Sequence, residues 1–212
     1  MERGGPIKIC YVLAITSTSG FLEIENTSNV SRAFKVLQEV AGKQEIIIAL
    51  APSSEEQLQQ QLQLATAQFM TVIIDPTHAE TFHLAIRSHI NSADAVLIVD
   101  ASYGLVTKEQ IMRTLDSLTS EIDAVRPVLP FTETLKIIEK DSVVKETLDR
   151  TTVKRVSTPE LIRVSAIADS KSDQGWFLPL KSGAHTLEIE GDSKITRINS
   201  ERDLALSALL LQ

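Results

Sequence analysis

Four short apolar runs, rich in Val and Ile and separated by amphipathic segments, constrain this chain more than any other feature. The runs are Ile7–Ile15, Glu45–Ala51, Thr71–Asp75 and Ala95–Asp100. A strand that is apolar at nearly every position must be covered on both faces, which marks the interior of a parallel sheet. Between the runs, Val30, Phe34 and Leu37 share one helical face, and Leu58, Leu62, Ala65 and Phe69 share another. Phe82, Ala85, Ile86 and His89 or Ile90 follow the same spacing. Ser53 with Glu56, Thr77 with Glu80, and Thr107 with Gln110 are spaced as capping boxes at helix starts. Strands and helices alternating through short links predict right-handed crossovers and a mostly parallel, three-layer α/β sheet. Ligands of such sheets bind beyond the carboxyl ends of the strands.

After Pro127 the pattern changes. Leu135–Ile138 and Val143–Leu148 flank the polar turn Glu139-Lys140-Asp141-Ser142, which predicts a β-hairpin arm over residues 134–148. An isolated two-stranded hairpin is marginal in water, so the arm packs on something, either its own domain or a neighbouring subunit. A strand around Leu187–Glu190 and a helix from Ser200, carrying Leu204, Ala208 and Leu211, close the chain. One domain, 1–212, with an arm is the expected organisation.

A chain of 212 residues, 43% hydrophobic and 23% charged, can bury one sizeable core. Its net charge of −7 argues against nucleic acid or an anionic membrane surface as a partner. No apolar run approaches the roughly 20 residues of a membrane helix, and Met1–Pro6 lacks the apolar stretch of a signal peptide. Cys10 is the single cysteine, which excludes an internal disulfide and fits a reducing compartment; within Ile9-Cys10-Tyr11-Val12-Leu13 it reads as a buried structural thiol. The expected location is the cytoplasm.

The stretch from Ala124 to Glu160 contains Ala124-Val125-Arg126-Pro127-Val128, Thr132-Glu133-Thr134-Leu135-Lys136, Val143 to Arg150 and Thr158-Pro159-Glu160. In order and spacing it resembles the 2-C-methyl-D-erythritol 4-phosphate cytidylyltransferase family. That family's pattern here is P-A-x-P-V-x-D-T-x-K, then V-x-x-T-x-D-R, then x-T-P-Q. The resemblance extends from Ile7 to Leu211 and implies a Rossmann-like nucleotidyltransferase fold, glycosyltransferase-A-like, with a protruding β-hairpin arm. It also implies transfer of a cytidylyl group from CTP to 2-C-methyl-D-erythritol 4-phosphate, with magnesium, in a homodimer joined through the arm.

The family's cofactor signatures are altered in this chain. Where the family has the phosphate loop A-A-G-x-G-x-R, this chain has Ala14-Ile15-Thr16-Ser17-Thr18-Ser19-Gly20-Phe21, with no Lys or Arg between Lys8 and Arg32. Thr16 to Ser19 read either as a polar turn or as hydroxyl and N–H donors to an anion. Where the family has H-D-A-A-R-P, this chain has Val99-Asp100-Ala101-Ser102-Tyr103-Gly104. Asp100 therefore stands as the metal carboxylate or as a loop cap, and Tyr103 replaces an Arg. The cytosine segment G-G-x-x-R-x-x-S corresponds to Ile74–Thr81 without its glycines, and Thr81 replaces the Ser. His78 and His83, five apart, read as helix-face residues.

At the C-terminus the family's G-D-x-x-N-I-K-I-T-T-P-E-D-L-A-L-A corresponds to Gly191–Leu206, with Arg197 for the Lys. Asp173-Gln174-Gly175 replaces an acidic pair. The resemblance thus assigns catalytic charge to Arg197 and Lys136, and the nucleotide to Ala14, Thr16, Thr81 and Ala101. It assigns the methylerythritol phosphate to Thr132, Glu133 and Thr158, and the metal to Asp100. Thr158-Pro159 also reads as a helix start. Two functions follow: a cytidylyltransferase of weakened activity, or an inactive homologue serving as a dimeric scaffold or as partner of an intact paralogue.

Overall fold

A computed structural model describes residues 7–62, 69–140, 142–169 and 175–211. Its first half follows the apolar runs. Strands β1 (Ile9–Ile15), β4 (Ile46–Leu50), β5 (Phe69–Ile73) and β6 (Ala95–Asp100) pair in parallel in the order β6-β1-β4-β5. Between β1 and β4 lie the short pair β2 (Glu23–Ile24) and β3 (Thr27–Ser28), then helix α1 (Asn29–Ala41). Helices α2 (Glu55–Leu62), α3 (Ala79–Ile90) and α4 (Lys108–Asp116) make the remaining crossovers.

The second half turns the sheet mixed. Strand β7 (Ala124–Pro130) is flanked along one side by β10 (Lys154–Val156) and β11 (Glu160–Arg163), both antiparallel to it. The other side of β7 takes β12 (Thr186–Glu190) in parallel. Strand β11 also pairs antiparallel with β6, so it joins the two halves. The arm is the antiparallel pair β8 (Leu135–Ile138) and β9 (Val144–Leu148), which forms its own two-stranded sheet. Asp141 of its turn lies outside the described residues. Helix α5 (Glu201–Leu209) ends the fold.

Alternation across the sheet divides the core. Tyr11, Leu13 and Ile15 of β1 face Val30, Phe34 and Leu37 of α1 with Leu58 and Leu62 of α2. Val12 and Ala14 face Phe82, Ile86 and Ile90 of α3 with Phe177 and Leu178. Each such side chain removed from water stabilises the fold by roughly 1.5–3 kcal/mol. The three layers expected from the sequence are present.

Several expectations are corrected. Phe69 does not continue the α2 face: it opens β5, where it stacks edge-on against Phe34 at 5.6 Å. Ala65 lies outside the described residues. Thr107 caps α4 by accepting the Gln110 N–H, as its spacing predicts. Thr77 does not cap α3: it bonds Asp75, and His78 takes the cap position without a side-chain bond. Nor does Ser53 cap a helix; it sits in a 3-10 turn, Pro52–Ser54, ahead of α2. Thr158-Pro159 is a cis peptide leading into strand β11, not a helix start. Ser200 does cap α5 through the Asp203 N–H, but Ser207 is the buried residue of that helix, and Leu211 is 39% exposed.

Candidate active site at the ends of β1 and β6

The parallel register that pairs Ala14 with Asp100 delivers the two strand ends side by side. The Ala101 N–H donates to the Ala14 carbonyl at 2.9 Å, so both backbones turn away from the sheet together. The Asp100 side chain is fully buried there. Its Oδ1 accepts the Thr16 hydroxyl and the Ser102 N–H, each at 2.9 Å. Its own N–H donates to Thr158 Oγ1 at 3.0 Å. The other carboxylate oxygen, Oδ2, has no hydrogen-bond partner and stands 3.7 Å from Arg197 Nη2.

Arg197 reaches this point because the Ile198 N–H donates to the Ser102 carbonyl, which holds the segment before α5 against the loop after β6. Arg197 Nη2 donates to Thr16 Oγ1 at 2.9 Å. One threonine hydroxyl therefore bridges the carboxylate and the guanidinium. Burial pushes the Asp100 carboxyl above its ordinary value, opposed by the Ser102 N–H and the Arg197 charge. Burial likewise raises the Tyr103 phenol to about 12, with the Asp100 charge adding to the shift. The Tyr103 hydroxyl donates to the Val156 carbonyl, and its ring stacks edge-on with Trp176 at 6.4 Å.

The loop after β1 satisfies itself. Ser17 Oγ meets Ser19 Oγ at 2.6 Å and Ser102 Oγ at 3.2 Å, and buried Asn29 donates to the Ser19 carbonyl at 2.9 Å. Gly104 is required beside it, because a Cβ there would stand 2.0 Å from Asn29 Oδ1. Arg32, the next cation along the chain, donates to the carbonyls of Ile24 and Thr27. No cationic side chain is offered by the loop itself.

The other assigned residues divide. Ala14, Thr16, Asp100, Ala101, Thr158 and Arg197 are brought together, with Thr158 fully buried beneath Asp100. Glu133 and Arg197 line one cavity of about 800 Å³, together with Tyr103, Arg155 and Arg202. Thr132 and Glu133 line a neighbouring one of about 560 Å³, with Arg113, Arg155 and Asp192. Lys136 is on the arm, its ammonium on Thr147 Oγ1. Thr81 sits on the first turn of α3 with its hydroxyl on the His78 carbonyl, and shares no hydrogen bond with the Asp100 cluster. Asp173 and Gln174 lie outside the described residues.

Sequence reasoning passed over Ser102, Arg155 and Arg202. Ser102 was legible as the residue two beyond Asp100, where its N–H can return to the carboxylate. Among the described residues no group of three or more His, Cys, Asp or Glu stands together as a metal cage. Magnesium does not need one, since it binds through one or two carboxylates plus phosphate oxygens and water. The unpartnered Asp100 Oδ2 fits that role, although Arg197 competes for it.

The chain is similar to the 2-C-methyl-D-erythritol 4-phosphate cytidylyltransferase of Rhodococcus jostii, 26% identical over 198 residues covering 91% of this chain and 86% of the relative. In fold it is similar to the crystal structure of 4-diphosphocytidyl-2C-methyl-D-erythritol synthase from Anaerococcus prevotii, with TM-score 0.73, 16% identity and coverage of 97% and 99% of the two chains. It is similar also to the 2-C-methyl-D-erythritol 4-phosphate cytidylyltransferase structure from Thermus thermophilus, with TM-score 0.69, 17% identity and coverage of 95% and 98%. The family model described as IspD, 2-C-methyl-D-erythritol 4-phosphate cytidylyltransferase, matches residues 13–212, and this chain belongs to that family.

Proposed function

We propose that this protein transfers a cytidylyl group from CTP to 2-C-methyl-D-erythritol 4-phosphate, slowly compared with a member whose phosphate loop carries cations. The observation that carries this reading is the Asp100–Thr16–Arg197 cluster at the strand ends. In the reaction, an oxygen of the acceptor's phosphate attacks the α-phosphorus. The bond from that phosphorus to the β-bridging oxygen breaks, and pyrophosphate leaves. Such chemistry depends on positioning and on neutralising charge. Arg197 supplies fixed positive charge beside Asp100, and Thr16 orients both. Asp100 Oδ2 would hold magnesium together with the triphosphate oxygens, which would draw the Arg197 guanidinium off the carboxylate toward a phosphate. The rate is low because the loop after β1 carries no Lys or Arg and its Ser17 and Ser19 hydroxyls are held by each other and by Ser102.

The arm supports a homodimer. Ile137, Ile138, Val143 and Val144 are 37–58% exposed on a hairpin that makes its own sheet, and a second copy would cover them. A specific observation favours a second reading, an inactive scaffold or partner of an intact paralogue: the Asp100–Arg197 contact closes the metal ligand internally. The cytoplasm suits either reading, since a single cysteine fits a reducing compartment. Calorimetric titration with CTP and magnesium separates the two readings. Binding that requires magnesium supports transfer, and no binding at millimolar CTP supports the scaffold.

A further inference from the structure

The cavity beside Arg197 concentrates positive charge in a chain whose net charge is −7. Arg197 enters from the segment before α5, Arg155 from β10 and Arg202 from the first turn of α5. Glu133 and Asp203 also line it, but Asp203 is engaged by the Asn199 N–H and the Ser200 hydroxyl. Among the described residues, the side chains of Arg155 and Arg202 have no hydrogen-bond or ion-pair partner. Arg197 Nε is buried and also lacks a partner, and the fully buried Asp100 lies behind it with Oδ2 unpartnered. Tyr103, which lines the same cavity, donates its hydroxyl to the carbonyl of Val156, the residue after Arg155 on β10. Arg155 and Arg202 are exposed; Arg155 feels the Glu133 carboxylate and Arg202 that of Asp203, yet neither acid closes on its arginine, which leaves both guanidinium forks free to meet phosphate oxygens two at a time.

We infer that Arg155 and Arg202, together with Arg197, form a subsite for the phosphate of a small phosphorylated ligand, supplying from β10 and α5 the charge that the loop after β1 lacks. The inference rests on the transfer reading only for the ligand's identity. The nucleotide's terminal phosphates and the acceptor's phosphomonoester share the chemistry, and two probes tell them apart.

The full chain is titrated calorimetrically with inorganic pyrophosphate and with glycerol 1-phosphate, as wild type and as Arg155→Gln, Arg202→Gln and Lys154→Gln. Lys154 neighbours Arg155 on β10, lines the cavity of Thr132, Arg150 and Thr151 and not that of Arg197, and controls for net charge. Arg155→Gln and Arg202→Gln should each weaken binding at least tenfold, 1.4 kcal/mol, with Lys154→Gln unchanged. Tighter binding of pyrophosphate marks the nucleotide side, and tighter binding of glycerol 1-phosphate marks the acceptor side. Absence of saturation by either anion at millimolar concentration overturns the subsite, as does equal weakening in Lys154→Gln. Arg-dependent pyrophosphate binding without any turnover of CTP keeps the subsite and removes the transfer reading. Turnover with unchanged KM in both Arg variants does the reverse.

Discussion

Arg197 Nη2 stands 3.7 Å from Asp100 Oδ2, with the hydroxyl of Thr16 between the two side chains. Three separate parts of the chain meet there: the end of β1, the end of β6 and the segment before α5. Asp100 is fully buried while the Arg197 side chain is 35% exposed, so the guanidinium is the face that this pair turns toward solvent.

That pairing sets a pH dependence. Folding raises the Asp100 pKa above its ordinary 3.8, chiefly through burial. Its contribution to stability is therefore full below the unfolded value and is lost as pH rises through the raised folded value. Removing the opposing Arg197 charge raises the folded value further and extends that loss upward in pH. Arg197→Met should destabilise the protein by roughly 2 kcal/mol at neutral pH, less than for a fully buried pair because Arg197 is partly solvated. The deficit should shrink as pH falls toward 4, as thermal unfolding of both proteins across that range would show. A pH-independent deficit would mean the contact carries packing and no charge.

Thr158 is expected to matter through backbone support. Its hydroxyl accepts the Asp100 N–H inside a fully buried site. Thr158→Val keeps the shape and strands that N–H, at a cost of about 1–3 kcal/mol. Urea unfolding should show a lower midpoint at unchanged slope. An unchanged midpoint would show that another group satisfies the N–H.

Glu160 and Arg126 form a second buried contact, between β11 and β7. Glu160, fully buried, accepts Arg126 Nε at 2.6 Å and the Phe177 N–H at 3.0 Å. Glu160→Leu leaves the 14%-exposed Arg126 without its partner and should cost roughly 3–5 kcal/mol. The double variant Glu160→Leu with Arg126→Met should be milder than that single one, since no unpaired charge remains. A double variant as unstable as the sum of the singles would overturn this account.

Much of the fold was readable because β1, β4 and β6 are buried on both faces and therefore stay apolar throughout. Strand β11 escaped that rule. Its first residue, Glu160, is an acid whose charge is matched by Arg126 from β7, a partner that no local pattern reveals. Phe69 misled for a related reason: the helical spacing from Leu58 runs on in letters to Phe69, which opens strand β5. At the site, Asp100, Arg197 and Thr16 were named through family resemblance, while their mutual contact depends on tertiary packing. Arg155 and Arg202 were hidden because a lone arginine on a strand or helix reads as solvated until a shared cavity shows otherwise.

Gly104 guards the loop after β1. Gly104→Ala would drive Asn29 off the Ser19 carbonyl, with an overpacking cost of about 1–3 kcal/mol. Asn29→Ala added to Gly104→Ala should recover part of the loss in thermal unfolding. No recovery would place the strain elsewhere.

The arm prediction concerns assembly. Replacing Leu135–Thr147 by a short Gly-Ser link should leave a soluble monomer, since the central sheet buries its own core. Sedimentation velocity should find the intact chain dimeric and the shortened one monomeric. An intact chain that sediments as a monomer at tens of micromolar would remove the self-dimer.

The most direct test follows pyrophosphate release from CTP, 2-C-methyl-D-erythritol 4-phosphate and magnesium, with wild type beside Asp100→Asn. Slow, magnesium-dependent release by the wild type, abolished by Asp100→Asn, is the predicted result, because a neutral amide is a far weaker magnesium ligand than a carboxylate. No release by the wild type, or equal release by both proteins, would contradict the account.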